Sequence, residues 1–165
     1  MKEGKFKGFY VLFVLVFFII LSSCKAPDNI LKSSSEVDFS TQKKVQILFN
    51  EHIYDTTIVF NNSKLEINFD NKKDLTNGAC ICVENSNYKI TYKDMVFKGE
   101  TDDLLDTFLP CILYDFLVSF GNEICFEEYD KDRECFYLKK NINGHFVLFE
   151  CYETENSASY SIEIK

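Results

Sequence analysis

A chain of 165 residues with 26 acidic against 18 basic side chains carries a formal charge of −8 at pH 7. That balance excludes the positive footprint that nucleic acid or anionic lipid head-groups require, so no nucleic-acid partner is expected. With 46% hydrophobic residues, 16% aromatic and only two prolines, the chain has material for one packed domain and not the composition of a disordered one.

The first residues read MKEGKFKGFYVLFVLVFFIILSSC. Lys2, Lys5 and Lys7 form a positive leader, and an unbroken apolar run of thirteen residues follows from Phe9 to Leu21. A membrane-spanning helix needs about 20 residues, so this run is short for a span. Its order, positive then apolar then small, is that of an export signal. Leu21-Ser22-Ser23-Cys24 resembles the bacterial lipobox. The resemblance implies cleavage after a 1–23 signal peptide and a covalent diacylglyceryl lipid on Cys24. A lipobox cysteine carries at least two acyl chains, enough for durable attachment, whereas one chain holds only marginally. The expected location is the extracytoplasmic face of the cell membrane, with the membrane itself a partner through the anchor. An uncleaved anchor, or an ordinary secretory signal with Cys24 a plain thiol, is the alternative. Residues 1–23 hold three lysines and one glutamate, so cleavage leaves 15 basic and 25 acidic residues and a charge of −10.

Residues 24–41 carry Pro27, Asp28, Asn29 and the run Ser33-Ser34-Ser35, and read as a lipid-anchored tether. The domain is then expected over 42–165. Alternation begins with Val45, Ile47 and Phe49, the pattern of a half-buried strand. Ile53–Phe60 and Leu65–Phe69 follow across the turn signal Asn61-Asn62-Ser63. Ala79–Val83, Tyr88–Tyr92 and Met95–Phe97 continue the set.

Thr101-Asp102-Asp103 opens the one segment that departs from alternation. Pro110 suits a first helical turn, which predicts a helix from about Pro110 to Phe120, ending at Gly121. Ile112, Leu113, Phe116, Leu117 and Phe120 recur at helical spacing, and Cys111, Tyr114 and Val118 make most of the remaining circumference apolar. A helix so oily needs cover on more than one side. Asp115 within it needs a partner or water.

Beyond Gly121 the sequence predicts a hairpin of Glu123–Tyr129 and Arg133–Lys139 around the loop Asp130-Lys131-Asp132. That loop sets Phe126 opposite Phe136 and Ile124 opposite Leu138. His145–Tyr152 and Tyr160–Ile164 complete the strands.

With Cys24 assigned to lipid, Cys80, Cys82, Cys111, Cys125, Cys135 and Cys151 remain. Buried free thiols and one or more disulfides are both open readings. A metal site is not expected, because there is no CxxC pair and neither His52 nor His145 is spaced to join a cysteine set.

About ten mostly antiparallel strands with one oily helix between two strand groups resemble the outer-membrane lipoprotein carriers and receptors of the LolA/LolB type. The resemblance extends to small exported lipoproteins of spore-forming Gram-positive bacteria. It rests on Phe39, on Asp70–Gly78 with its Leu75-Thr76-Asn77-Gly78, on Ile90–Met95, and on Leu109–Phe120. It implies an α+β fold, mainly antiparallel β: an incomplete half β-barrel wrapping a central apolar helix. It also implies a concave face for a lipid or acyl ligand, lined by Ile112, Leu113, Phe116, Leu117 and Phe120. Relatives of this type also dock envelope proteins, some activating a cell-wall amidase.

The functional expectation is a non-catalytic interaction module that docks or supports an envelope protein, with carriage of a hydrophobic ligand as the alternative. No enzyme is expected, since the two histidines sit in no nucleophile–base motif. No cofactor is expected beyond the Cys24 lipid. The acidic run Glu127–Asp132 lacks the spacing of a calcium loop and reads as a solvated hairpin tip.

Overall fold

The computed structural model describes residues 36–70, 76–104, 107–126, 128–154 and 156–165. The expected leader, Cys24 and most of the tether lie outside the described residues. So does part of the Asp70–Gly78 stretch.

Among the described residues the elements run in this order: β1 (Glu36–Asp38), β2 (Lys43–Phe49), β3 (His52–Asn61), β4 (Lys64–Phe69), β5 (Cys80–Glu84), β6 (Asn87–Tyr92) and β7 (Met95–Glu100). A 3₁₀ turn at Thr101–Asp103 comes next, then α1 (Leu109–Val118). β8 (Glu123–Cys125), β9 (Glu128–Asp130), β10 (Cys135–Ile142), β11 (His145–Glu153) and β12 (Ala158–Ile164) complete the chain.

Asparagine-led turns set the registers. Asn50-Glu51, Asn62-Ser63, Asn85-Ser86 and Asn143-Gly144 all have positive φ at both positions, between 48° and 87°. This is the type I′ geometry that matches strand twist in two-residue hairpins, and asparagine tolerates it well. The turns close Phe49 on His52, Asn61 on Lys64, Glu84 on Asn87 and Ile142 on His145.

Two antiparallel meanders result, β2 to β7 and β9 to β12. They join through β2 and β12, which pair in parallel with Val45 beside Tyr160 and Ile47 beside Ile162. The ten-stranded sheet runs β7-β6-β5-β4-β3-β2-β12-β11-β10-β9, and β1 pairs with β8 in a separate two-stranded ribbon. A parallel pair needs a long crossover, and the chain from β7 through α1 to β9 is part of it.

The helix begins at Leu109 with Pro110 in its first turn and ends at Val118, just before Gly121 takes φ +75°. It packs against β5 and β10, strands well separated in the sheet order, so the sheet curves over it. Ile58, Leu65, Ile67, Val83, Val147, Phe149 and Ile162 from the sheet form one core with Ile112, Leu113, Phe116 and Leu117. Phe149 is its aromatic hub, with ring centroids 5.8 Å from Phe39, 6.0 Å from Phe116 and 4.9 Å from Phe126.

The expected α+β half-barrel of LolA/LolB type is not the fold. Among the described residues the protein is mostly β, with one short helix on an open mixed sheet and no closed barrel. The parallel β2–β12 pair at mid-sheet makes the sheet mixed. Pro110 and Gly121 hold the helix to ten residues, so helical content stays small.

The expected register of the β9–β10 hairpin is also corrected. Phe136 faces Tyr129 and Cys135 faces Asp130, so Phe126 is not Phe136's partner. The Asp130 carboxylate accepts bonds from the amides of Asp132 (2.9 Å) and Arg133 (3.1 Å), forming a wider loop that ends at Glu134 with φ 52°. Ile124 instead pairs with Val37 of β1. β1 and the fully buried Phe39 fall inside the stretch read as tether, yet both belong to the packed fold. The Phe39 amide donates to the Asn122 carbonyl at 2.8 Å and its carbonyl accepts from Phe60 at 2.7 Å.

Candidate functional site

The residues expected to line a concave ligand face sit together on α1, pressed into the core. Ile112, Leu113, Phe116 and Leu117 are at most 1% exposed. Phe120 is partly buried, edge-on to Phe116 at 5.2 Å, with the Lys140 ammonium 4.2 Å above its ring. Asp115 stands at the rim, where its Oδ2 accepts a bond from the Asn143 side-chain amide at 2.6 Å.

None of the six cysteines of the domain is joined in a disulfide. Among the described residues no group of three or more His, Cys, Asp or Glu side chains is arranged to hold a metal ion. No helix among them is long and apolar enough to cross a membrane.

Clefts open elsewhere among the described residues. One of about 770 Å³ lies on the outer face of β4 to β7 and includes Lys64, Glu66, Cys80, Cys82, Lys89 and Lys98. A second of about 690 Å³ lies beside β2, β3 and the start of β12. A third, about 300 Å³, sits between the β5–β6 turn and α1 and includes Cys111 and Asp115. In the first cleft burial pushes the thiols of Cys80 and Cys82 above their ordinary range.

The outer face of β10 to β12 carries a polar cluster that the sequence pattern did not single out. Glu150 is only 5% exposed, yet it accepts bonds from Arg133, from the Tyr152 hydroxyl at 2.9 Å and from the Ser161 hydroxyl at 3.0 Å. With its acceptors used, this carboxylate has the character of a rivet between strands. Alternation along β11 could have revealed it, because Glu150 stands opposite Ser161 and Tyr137 on the face away from Phe149 and Cys151.

The two edges of the large sheet differ in chemistry. β9 is three residues long and acidic, Glu128-Tyr129-Asp130. Short, charged edges resist pairing with other chains. β7 is six residues long and its exposed run is apolar: Met95 is 49% exposed, Val96 53% and Phe97 54%. Pairing with β6 puts Met95 opposite Tyr92 and Phe97 opposite Ile90, with Val96 turned to the other face. Both faces of the strand therefore present apolar surface beside an edge that pairs with no strand among the described residues. Sequence reasoning found a strand at Met95–Phe97 but could not place it at the edge, because position in a sheet depends on pairings far along the chain. No protein-family model, curated protein or solved structure matches the chain.

Proposed function

We propose that the protein is a lipid-anchored module at the extracytoplasmic face of the cell membrane that docks an envelope protein by adding one of its strands to β7. The single observation that carries the docking reading is the β7 edge, long, with no second strand partner among the described residues, and apolar on both faces. Strand addition takes affinity from main-chain hydrogen bonds and specificity from alternate side chains. Met95 and Phe97 on one face, with Val96 on the other, supply such a code. The lipobox-like Leu21–Cys24 supports the anchor and confines the search for a partner to the membrane surface.

The reading requires no chemistry of the domain itself, and its fully buried helix residues serve as the packed support of the sheet. Two measurements test it. Globomycin should make the uncleaved precursor accumulate, and unchanged gel mobility would remove the anchor. Full-length protein isolated from membranes should bring down a defined partner that Val96→Lys and Phe97→Glu both release. Recovery undiminished in these variants would remove the edge.

A further inference from the structure

Cys80 and Cys82 share the outer face of β5, with the buried Ile81 between them turned to the core. Across the sheet Cys80 stands beside Asn68 and Thr91, and Cys82 beside Glu66 and Lys89. Both thiols border the 770 Å³ cleft and both are free. Residues two apart in a strand have Cα atoms about 6.6 Å apart. That exceeds the usual ~5.5–6 Å of a disulfide, and the two Cβ atoms stand side by side, so the pair is poorly placed to close on itself. An ion bound at about 2.3 Å to each sulfur bridges only ~4.6 Å between sulfurs. Staggered χ1 rotamers that lean the two side chains toward each other shorten the sulfur separation without moving the strand.

The surroundings select the ion. Glu66, the nearest cross-strand carboxylate to Cys82, is held by the Lys64 ammonium at 2.6 Å. The donor set is therefore two thiolates and little else, which suits a soft ion content with few ligands and not four-coordinate zinc or oxygen-seeking calcium. We propose that Cys80 and Cys82 form a two-sulfur site for a soft monovalent cation of the Cu(I) class. On binding, each thiol loses its proton, two metal–sulfur bonds form, and two protons pass to solvent with no change in oxidation state. The resulting bis-thiolate unit carries one negative charge, in a cleft where Lys64, Lys89 and Lys98 are balanced by Glu66, Glu84 and Glu100. This site is independent of the docking edge.

The test uses the full chain, reduced and kept in mild detergent without oxygen, titrated with Cu(I) supplied as its bicinchoninate complex. The wild type should withdraw one equivalent, and X-ray absorption should find two sulfur neighbours. Cys80→Ser and Cys82→Ser should each lose that uptake, while Cys111→Ser and Cys125→Ser keep it. No withdrawal by the wild type, or the same equivalent taken up by the Cys80→Ser/Cys82→Ser double variant, overturns the site. Should a serine variant fail to fold, the wild type still decides the matter. Redox-inert Ag(I) should then shield Cys80 and Cys82 from iodoacetamide, as read by peptide mass, and undiminished labelling of both overturns the proposal.

Discussion

Arg133 holds Glu150 across the outer face of the sheet, Nη1 on Oε1 and Nη2 on Oε2 at 3.2 Å, and so ties the β9–β10 loop to β11. The Arg133 side chain is 51% exposed and that of Glu150 only 7%. The pair is therefore asymmetric. Removing the arginine strands a buried carboxylate, whereas neutralising the glutamate leaves a cation that water can solvate. Glu150→Gln should cost about 1–3 kcal/mol through its weakened charge-assisted bonds. Arg133→Met should cost more, as read from urea midpoints. The reverse order would contradict this asymmetry.

Tyr152 belongs to the same cluster, and its hydroxyl is pushed up to about 12, first by burial and then by its bond to Glu150. The folded state holds this proton more tightly than the unfolded one. The contribution is therefore complete below pH ~10, where an unfolded tyrosine titrates, and is lost as pH rises through the folded value. Stability should fall between those two points in the wild type, and Tyr152→Phe should flatten the fall. A slope unchanged in the variant would assign the alkaline loss to other groups.

Where β1 meets β8, Asp38 pairs with Glu123. The main cause that raises the Glu123 carboxyl is the hydrogen bond its protonated form donates to Glu36, with the like charge on Glu36, burial and the like charge on Asp38 adding to it. A raised carboxyl stabilises the fold while protonated and ceases to do so as pH climbs through its folded value. Glu123→Gln should therefore raise the thermal midpoint at pH 7 and leave it nearly unchanged at pH 4. Equal effects at both pH values would exclude this repulsion.

Tyr88 lies over Gly99 on the neighbouring strand, and a Cβ at Gly99 would come within 2.7 Å of the Tyr88 ring. The contact is with the far end of a side chain that can swing, so the cost should be moderate. Gly99→Ala should destabilise by about 1 kcal/mol in the native background and by less in Tyr88→Ala. Equal losses in both backgrounds would trace the effect to the backbone.

Phe39 is 0% exposed and packs on Phe149. Phe39→Ala should cost about 3–5 kcal/mol, as for a fully buried aromatic. A neutral substitution would return this segment to the role of tether.

Much of the strand pattern was legible because alternation is a local property. Val45, Ile47, Leu65, Ile67, Val147 and Phe149 all point inward as their spacing requires. The helix was legible too, since Pro110 and Gly121 mark its ends. What the sequence could not convey is which distant strands meet. Nothing near Val45 or Tyr160 shows that they pair in parallel, and nothing near Ile124 shows that it leaves the hairpin for Val37. The same limit hid the site. Met95, Val96 and Phe97 have the composition of an interior strand, and only the sheet order leaves them exposed.

The most direct test of the docking account is site-specific photo-crosslinking in intact cells, with the photoreactive group at Val96 on β7 and, as the control, at the exposed Asp132 on the hairpin loop at the other end of the sheet order. The account predicts one discrete membrane-associated adduct from position 96 and none from position 132. An adduct pattern that is the same from both positions, or no adduct from position 96, would contradict it.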